Sequence, residues 1–439
     1  MKEQNSMSTT KVERSVKFVK TGIKVGANYV KHYSKKLVNP DLTKEQLDKD
    51  NASDIYNTLS DLKGSALKVA QMLSMDKAIL PRAYADQFSL SLNSAPPLSG
   101  PLIVKTFLKS FGKSPQEIFD KFEMNAAHAA SIGQVHRAEL NGNKLAIKIQ
   151  YPGVADSISS DLKLIKPFAL RLLGLSEAEL ATYLKEVEEK LIEETRYSLE
   201  LEQGEMISSA CVGIPNIVFP TYYKSYSNDR ILVMDWLDGM PLKDWLKTNP
   251  SQEDRDRIGQ TLWDFYNFQQ HELKVIHADP HPGNFLITRE GKLGVLDFGC
   301  TKVIPEDFYQ AFFGLVNPTI QSDKSKVLSL LRELQMIAPQ DTPEQVNFFY
   351  KLYSEMIDLF AKPYRETSFD FGDPAFINAL YEYGERASKM PELRQARGVK
   401  HFIYVNRTNF GLYNILYDLR ARVTTDTFHF SLDPDMIGA

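Results

Sequence analysis

One stretch constrains this chain more than any other: His277-Ala278-Asp279-Pro280-His281-Pro282-Gly283-Asn284, followed by Asp297-Phe298-Gly299. Asp279 and Asn284 stand in D-x-x-x-x-N spacing, and a second aspartate returns shortly afterwards. The apolar runs Phe285-Leu286-Ile287 and Leu293-Gly294-Val295-Leu296 flank Arg289-Glu290-Gly291-Lys292, which predicts two strands joined by a tight turn. That hairpin brings Asn284 and Asp297 together. The grouping suits phosphoryl transfer. The charge of two or three phosphates calls for Mg²⁺, a hard cation that takes oxygen ligands, and Asn284 and Asp297 supply such oxygens. Asp279 is then the group that accepts or orients the proton of an attacking hydroxyl. Alone, Asp-Phe-Gly is a turn with an acid in it. The order and spacing of loop, hairpin and triplet carry the reading.

The rest of the chain is that of an ordinary globular protein. Its 439 residues are 43% hydrophobic and 25% charged, with a net charge of −4, which gives no reason to expect a nucleic-acid partner. Cys211 and Cys300 are too few for a disulfide framework and point to a reducing, cytoplasmic setting. No apolar run approaches the length of a membrane span, no secretory signal opens the chain, and no internal repeat is visible.

Residues Lys11 to Leu37 are lopsidedly basic, with Arg14, Lys17, Lys20, Lys24, Lys31, Lys35 and Lys36 against Glu13. Val12, Val16, Val19, Ile23, Ala27 and Val30 recur at helical spacing. Two readings follow: a helix peripheral to an anionic membrane surface, or one docked by its valine stripe with a solvated basic face. An acidic-basic helix to about Lys49 comes next. A further helix is expected from Ser53, as its cap, to Met75, with Ile55, Leu59, Leu62, Ala66, Val69 and Leu73 buried. Lys63, Lys68 and Gln71 are left over from that stripe. The segment Ala95-Pro96-Pro97-Leu98-Ser99-Gly100-Pro101 reads as a hinge.

Helix-like sequence from Leu102 to Phe122 leads to Ala126–Leu140, then Asn141-Gly142 and a strand from Lys144 to Gln150, a strong hairpin pattern. Leu145-Ala146-Ile147-Lys148 fits the V-A-I-K strand of kinases, whose lysine pairs the phosphates and a helix glutamate. The run before it, His128-Ala129-Ala130-Ser131, has alanines where kinases place glycines, so this loop should be stiffer. Helices are expected over Ala155–Leu173 and Ser176–Ser209, the second strongly acidic. Strands are expected at Pro215–Pro220, Tyr222–Ser227 and Arg230–Asp235. Val233-Met234-Asp235-Trp236-Leu237 would then link two lobes and receive an adenine. After Gly299 the chain reaches Pro305, a helix start, almost at once. No long activation segment and no A-P-E triplet follow, which argues against protein substrates. The remainder, to about Val423, reads as helical.

These residues resemble the UbiB/ADCK/AarF group of atypical kinases, tied to isoprenoid quinone (ubiquinone) biosynthesis, from about Asp54 to Val423. The family's K-x-G-Q looks like Lys68-Val69-Ala70-Gln71, and its alanine-rich nucleotide loop looks like His128 to His136. Its strand lysine is Lys148. Its E-x-D-Y-x-x-E-A helix is similar to Glu194 to Leu201, which makes Glu200 the partner of Lys148. The H-x-D-x-H-P-G-N and Asp-Phe-Gly motifs are matched in full. Three positions depart: Ala70 for glycine, Arg196 for aspartate, His128 for alanine. The two C-terminal apolar spans of many bacterial members are missing.

The resemblance implies an α+β, bilobal protein kinase-like fold, with a small β-rich N-lobe and a helical C-lobe. The implied division is a basic segment (1–40), a helical K-x-G-Q extension packed over the cleft (41–100), an N-lobe with inserted helices (101–235) and a C-lobe (236–439). It implies ATP and Mg²⁺ as cofactors. Asp279, Lys148, Glu200, Lys68 and Gln71 would be catalytic, and Asn284 and Asp297 would be metal ligands. Ala129, Ala130, Ser131, Gln134, Lys148, Asp235 and Leu237 would hold nucleotide. The helix with Lys68 and Gln71 would act as a fixed lid. The expected role is an ATPase or small-molecule kinase supporting quinone or other lipid metabolism, with a quinone or lipid precursor as partner. The alternatives are a nucleotide-sensing pseudokinase and a kinase for a soluble metabolite. For Arg196, two outcomes are open: it turns to solvent, or it pairs with Glu194.

Overall fold

Asn141 and Gly142 both take positive φ, 52° and 81°. Paired left-handed residues make the turn whose twist matches that of two antiparallel strands. The hairpin they close, β3 (Gly133–Leu140) and β4 (Asn143–Gln150), is the centre of a sheet in the computed structural model, which describes residues 11–39, 45–62, 66, 98–129, 132–173, 177–393, 397–428, 430 and 432. β1 (Lys121–Phe122) and β2 (His128–Ala129) pair with β3, and β6 (Ile231–Asp235) pairs with β4, all antiparallel. Alternate residues Leu145, Ile147 and Ile149 face a core shared with Ile103, Phe107, Phe119, Ile231 and Val233. Ile103 and Phe107 come from helix α3 (Gly100–Phe111).

Contacts divide the chain into two units, 1–201 with 221–236, and 202–220 with 237–439. The sequence reading places boundaries near 40, 100 and 235, and the last of these falls at the end of the first unit. Residues 202–220 return to the second unit because β5 (Ile217–Val218) pairs there with a later strand.

The first unit has a second, helical core. Helices α1 (Lys11–Val38), α2 (Glu45–Leu62), α4 (Val154–Leu173) and α5 (Glu177–Glu194) gather Phe18, Ile55, Leu59, Leu62, Ile158, Leu162, Ile165, Leu180, Val187 and Leu191. Two expectations change here. Ser53 caps nothing, because α2 already begins at Glu45 and runs through it. The valine stripe of α1 does not dock. Arg14, Phe18, Thr21 and His32 are the buried residues, and Val12, Val16, Val19, Ile23 and Val30 face outward. Polar pins set that rotation. The Arg14 guanidinium donates to both carboxylate oxygens of Asp161 on α4, at 2.6 and 2.5 Å, and to the Leu62 carbonyl at 3.0 Å. Asn28 donates to Asp54 and Asn51 on α2, at 2.9 and 3.1 Å. A buried bidentate ion pair left unmade costs more than exposed valines do.

Other boundaries move for local reasons. Gly112, at φ 70°, ends α3, so Leu102–Phe122 is a helix, a helical turn at Pro115–Ile118 and strand β1. The acidic helix breaks at Thr195–Arg196 into α5 and α6 (Tyr197–Ala210). Tyr222–Ser227 is no strand. Tyr222 bridges Met234, and the chain then turns tightly through Lys224–Tyr226, where Ser227 Oγ accepts from Val233 N at 2.9 Å.

In the second unit, β5, β10 (Leu293–Val295), β9 (Phe285–Thr288) and β7 (Gly239–Pro241) form a sheet in that order, and β5 is parallel to β10. β8 (Val275–His277) pairs antiparallel with β11 (Thr301–Val303). Helix α7 (Gln252–Phe268) leads into the catalytic-loop region, and α8 (Glu306–Gly314) follows Pro305. Helices α9 (Lys324–Glu333), α10 (Pro343–Ala361), α11 (Pro374–Ser388) and α12 (Lys400–Leu419) complete it. The expected all-helical remainder contains one ladder, β12 (Ser368–Asp370) with β13 (Arg422–Thr424). The core is aromatic: Trp263, Tyr266, Tyr309, Phe313, Phe360, Phe371 and Tyr413 are buried, and His271 sits 4.7 Å from the Phe313 ring and 5.1 Å from Phe430.

Candidate active site

The first unit sets one ion pair. Lys148 stands on β4 opposite Val135 and Leu232, and its Nζ donates to both carboxylate oxygens of Glu200 at 2.8 Å. The side chains are 15% and 4% exposed, so water competes little for the pair. The break before α6 is what presents Glu200. The Arg196 carbonyl accepts from Leu199 N and Glu200 N, at 3.0 and 3.2 Å, which places Glu200 in the first turn. The break is tied to the end of β4, since Gln150 Nε2 donates to the Thr195 carbonyl at 2.8 Å. Arg196 itself is exposed, the solvent-facing outcome. The Tyr197 ring lies 5.1 Å from Lys148 Nζ. Gly133 serves packing here. A Cβ on it would come within 2.6 Å of the Ile149 carbonyl and of Tyr197 Oη.

Several residues expected at nucleotide are engaged inside this unit. Gln134 is fully buried, and its Oε1 accepts from Leu98 N at 2.7 Å. Its amide nitrogen meets His136 Nε2 at 2.7 Å, while His136 Nδ1 donates to the Glu123 carbonyl at 2.8 Å. Burial holds that imidazole below its ordinary range, which keeps it in this neutral tautomer. Both ends of the Gln134 amide are therefore committed to structure. The Asp235 carboxylate accepts from Thr221 N at 3.0 Å and Tyr223 Oη at 2.8 Å. Ala129 is paired with Gln134 across β2 and β3. Leu237 belongs to the second unit, beside Gly294. Ala130, Ser131, Lys68 and Gln71 lie outside the described residues.

The second unit gathers the other set. The Asn284 amide donates to the Asp279 carbonyl at 2.9 Å and to Asp279 Oδ2 at 3.3 Å. Those bonds fix which way the amide faces and leave its Oδ1 as the presented oxygen. Leu296 N donates to the Asn284 carbonyl at 3.0 Å, so the hairpin closes with Asn284 beside the segment that carries Asp297. Asp297 Oδ1 accepts from Gly299 N at 2.8 Å. Beneath it, His277 Nε2 donates to the Asp297 carbonyl at 2.6 Å, and His277 Nδ1 accepts from Tyr266 Oη at 3.1 Å. Burial pulls the His277 imidazole down, so it is a neutral brace rather than a proton source. An amide oxygen and a carboxylate brought together by one hairpin suit Mg²⁺, which takes one or two such protein ligands and completes its shell with phosphate and water. Among the described residues, no three or more His, Cys, Asp or Glu gather as a ligand set for another metal.

Sequence reasoning expected a helix where α12 stands and missed its contact with the site. Arg407 donates to Asp279 Oδ1 at 2.9 Å, with both side chains about a third exposed, 33% and 34%. Asn409 and Gln270 form a buried reciprocal amide pair, at 2.6 and 3.2 Å. Gly411 lies against Pro280, and a Cβ there would overlap the proline ring. The signal was Gly411 itself. A glycine inside a helix costs about 1 kcal/mol relative to alanine, so it needs a packing reason.

Residues 91–331 match the model of the ABC1 atypical kinase-like domain. An ABC1 family protein of Schizosaccharomyces pombe is 30% identical over 333 residues, covering 72% of this chain and 61% of that one. The chloroplastic protein Activity of BC1 complex kinase 8 of Arabidopsis thaliana is 29% identical, over 62% of this chain and 37% of its own. Atypical kinase COQ8B, mitochondrial, of Danio rerio is 28% identical, over 73% and 51%. The chain thus spans 37–61% of the length of these curated relatives. A solved structure, the Rv3197–erythromycin complex from Mycobacterium tuberculosis, superposes with a TM-score of 0.57 at 23% identity, over 87% of this chain and 95% of that one. It shows the fold: mixed helix and small sheets, kinase-like.

Proposed function

This chain belongs to the ABC1 atypical kinase-like family, and on that premise we propose that it binds Mg·ATP and turns it over, as an ATPase or a kinase for a small lipid-linked acceptor. The observation that carries the reading is the Lys148–Glu200 pair, made at 2.8 Å to both carboxylate oxygens. A lysine held this way is pre-organised for phosphate oxygens and spends no binding energy on finding its position. Complete Asp279, Asn284 and Asp297 support activity over a nucleotide-sensing role. In this reading Asn284 and Asp297 hold Mg²⁺, which neutralises phosphate charge when bound. Asp279 orients the attacking water or hydroxyl, and Arg407 holds the Asp279 carboxylate in place.

The chain after Gly299 supports a small acceptor over a protein substrate: residues 301–303 are zipped onto β8, and Pro305 opens α8. Relatives named as COQ8 kinases support isoprenoid quinone or other lipid metabolism as the setting. No helix among the described residues is long and apolar enough to cross a membrane. Cys211 and Cys300 are both buried, which fits a reducing compartment such as the cytoplasm.

The test is Mg²⁺-dependent ATP turnover by the intact chain, with Asp279→Asn as control. The expected result is nucleotide binding in both proteins and turnover in the parent alone. Binding without turnover by the parent, across lipid, quinone-precursor and soluble acceptors, would return the chain to the pseudokinase reading.

A further inference from the structure

We infer that α1 is an interfacial helix whose outward face seats on an anionic lipid surface. The argument starts from its fixed rotation. The Arg14–Asp161 pair is buried at 3% and 0% exposure, and Asn28 holds the helix to α2 further along. The helix cannot roll to hide its valines without breaking these bonds. Val12, Val16, Val19, Ile23 and Val30 are left 47–73% exposed, on one line along the helix. Gly26 beside them opens onto empty space. At 1.5 Å per residue the helix is about 42 Å long, so the stripe is a continuous apolar face and no scatter of single exposed residues.

The lysines are placed in register with that stripe. Val16 is followed by Lys17, Val19 by Lys20, Ile23 by Lys24 and Val30 by Lys31. One residue is about 100° around a helix, so a basic row runs beside the apolar row. Lys20, Lys24 and Lys31 are exposed, and Lys24 has only a loose contact to Asp54 at 3.9 Å. Glu13 is the only acid on the helix. Apolar side chains entering the headgroup boundary, with lysines reaching to the phosphates, match this layout. A second copy of the chain matches it poorly, because stripe-to-stripe pairing would bring two lysine rows together. Anionic lipid supplies the opposite charge.

The experiment is co-sedimentation of the full chain with phosphatidylcholine vesicles and with vesicles that also contain phosphatidylglycerol, across a salt series. Binding to the anionic vesicles that weakens as salt rises is expected. Val19→Glu/Ile23→Glu should abolish it, and Lys20→Gln/Lys31→Gln should weaken it by about tenfold or more. All four side chains are exposed, so both variants should keep the parent melting temperature, which separates lost docking from lost folding. Equal sedimentation with both vesicle types, or variants that bind like the parent, would overturn the inference. So would a concentration-dependent dimer in analytical ultracentrifugation that disappears in Val19→Glu/Ile23→Glu, since the stripe would then be a self-interface.

Discussion

Two ion pairs of nearly equal length sit in very different surroundings. Lys148–Glu200 in the first unit is 2.8 Å long and at most 15% exposed, while Arg407–Asp279 in the second is 2.9 Å long and a third exposed at both ends. The first joins a strand to a helix inside the family-matched stretch. The cation of the second comes from α12, beyond residue 331. Burial makes the first pair part of the scaffold, since either partner alone would be a charge with little water to hold it. Solvent at the second pair makes it a positioning contact that holds the Asp279 carboxylate and can release it.

The largest effect is expected at Asp297, the proposed metal ligand that belongs to neither pair. Asp297→Asn should erase Mg²⁺-dependent stabilisation by ATP, about 2–4 kcal/mol at saturating ligand, without unfolding the chain. A thermal shift that survives in the mutant would mean that Asp297 is no ligand. Next comes the buried pair. Glu200→Gln should cost about 3 kcal/mol in denaturant unfolding, because Lys148 loses its partner in a site with little water. A loss below about 1 kcal/mol would put it in the class of surface pairs.

Acid should weigh on the second unit through His271, which burial pushes down to about 3. The folded chain keeps this imidazole neutral, while the unfolded chain takes up a proton below about pH 6.5. Stability is therefore lost as pH falls from about 6.5 towards 3, by about 2 kcal/mol at pH 5 from this group. His271→Phe, within a ring of aromatic side chains, should flatten the melting temperature over that window. An unchanged slope would assign the acid sensitivity elsewhere. The smallest effect on stability is expected from Arg407→Gln, under about 1 kcal/mol, together with a roughly tenfold fall in turnover and unchanged nucleotide affinity. Should it destabilise as much as Glu200→Gln, the distinction between the pairs fails.

The parts legible in the sequence were those whose local chemistry permits one outcome. Asn141-Gly142 closed the tight turn that such a pair signals, and the run carrying Lys148 formed the strand expected from Lys144 to Gln150. The hairpin from Phe285 to Val295 formed as its turn residues predict. Illegible were the features decided by partners far away in the chain. The valine stripe of α1 had the right period for a buried face, yet Asp161 and Asp54 settled the rotation. Gln134 read as a ligand residue because nothing nearby reveals that Leu98 N and His136 will claim its amide. Arg407 stands 128 positions from Asp279, and no spacing rule reaches that far.

The ladder between β8 and β11 has a consequence for control. Thr301, Lys302 and Val303 are paired one for one with His277, Ile276 and Val275, and Ala278 N donates to the Cys300 carbonyl at 2.8 Å. A phosphate attached in this stretch would have to unzip the ladder before it could act, and unzipping would displace the loop it was meant to tune. The switch that many phosphotransferases build just after Asp-Phe-Gly has no room here. Helix α12 does reach the loop, through Arg407 at Asp279 and Gly411 at Pro280, so on the proposed function it is the element through which turnover would be tuned.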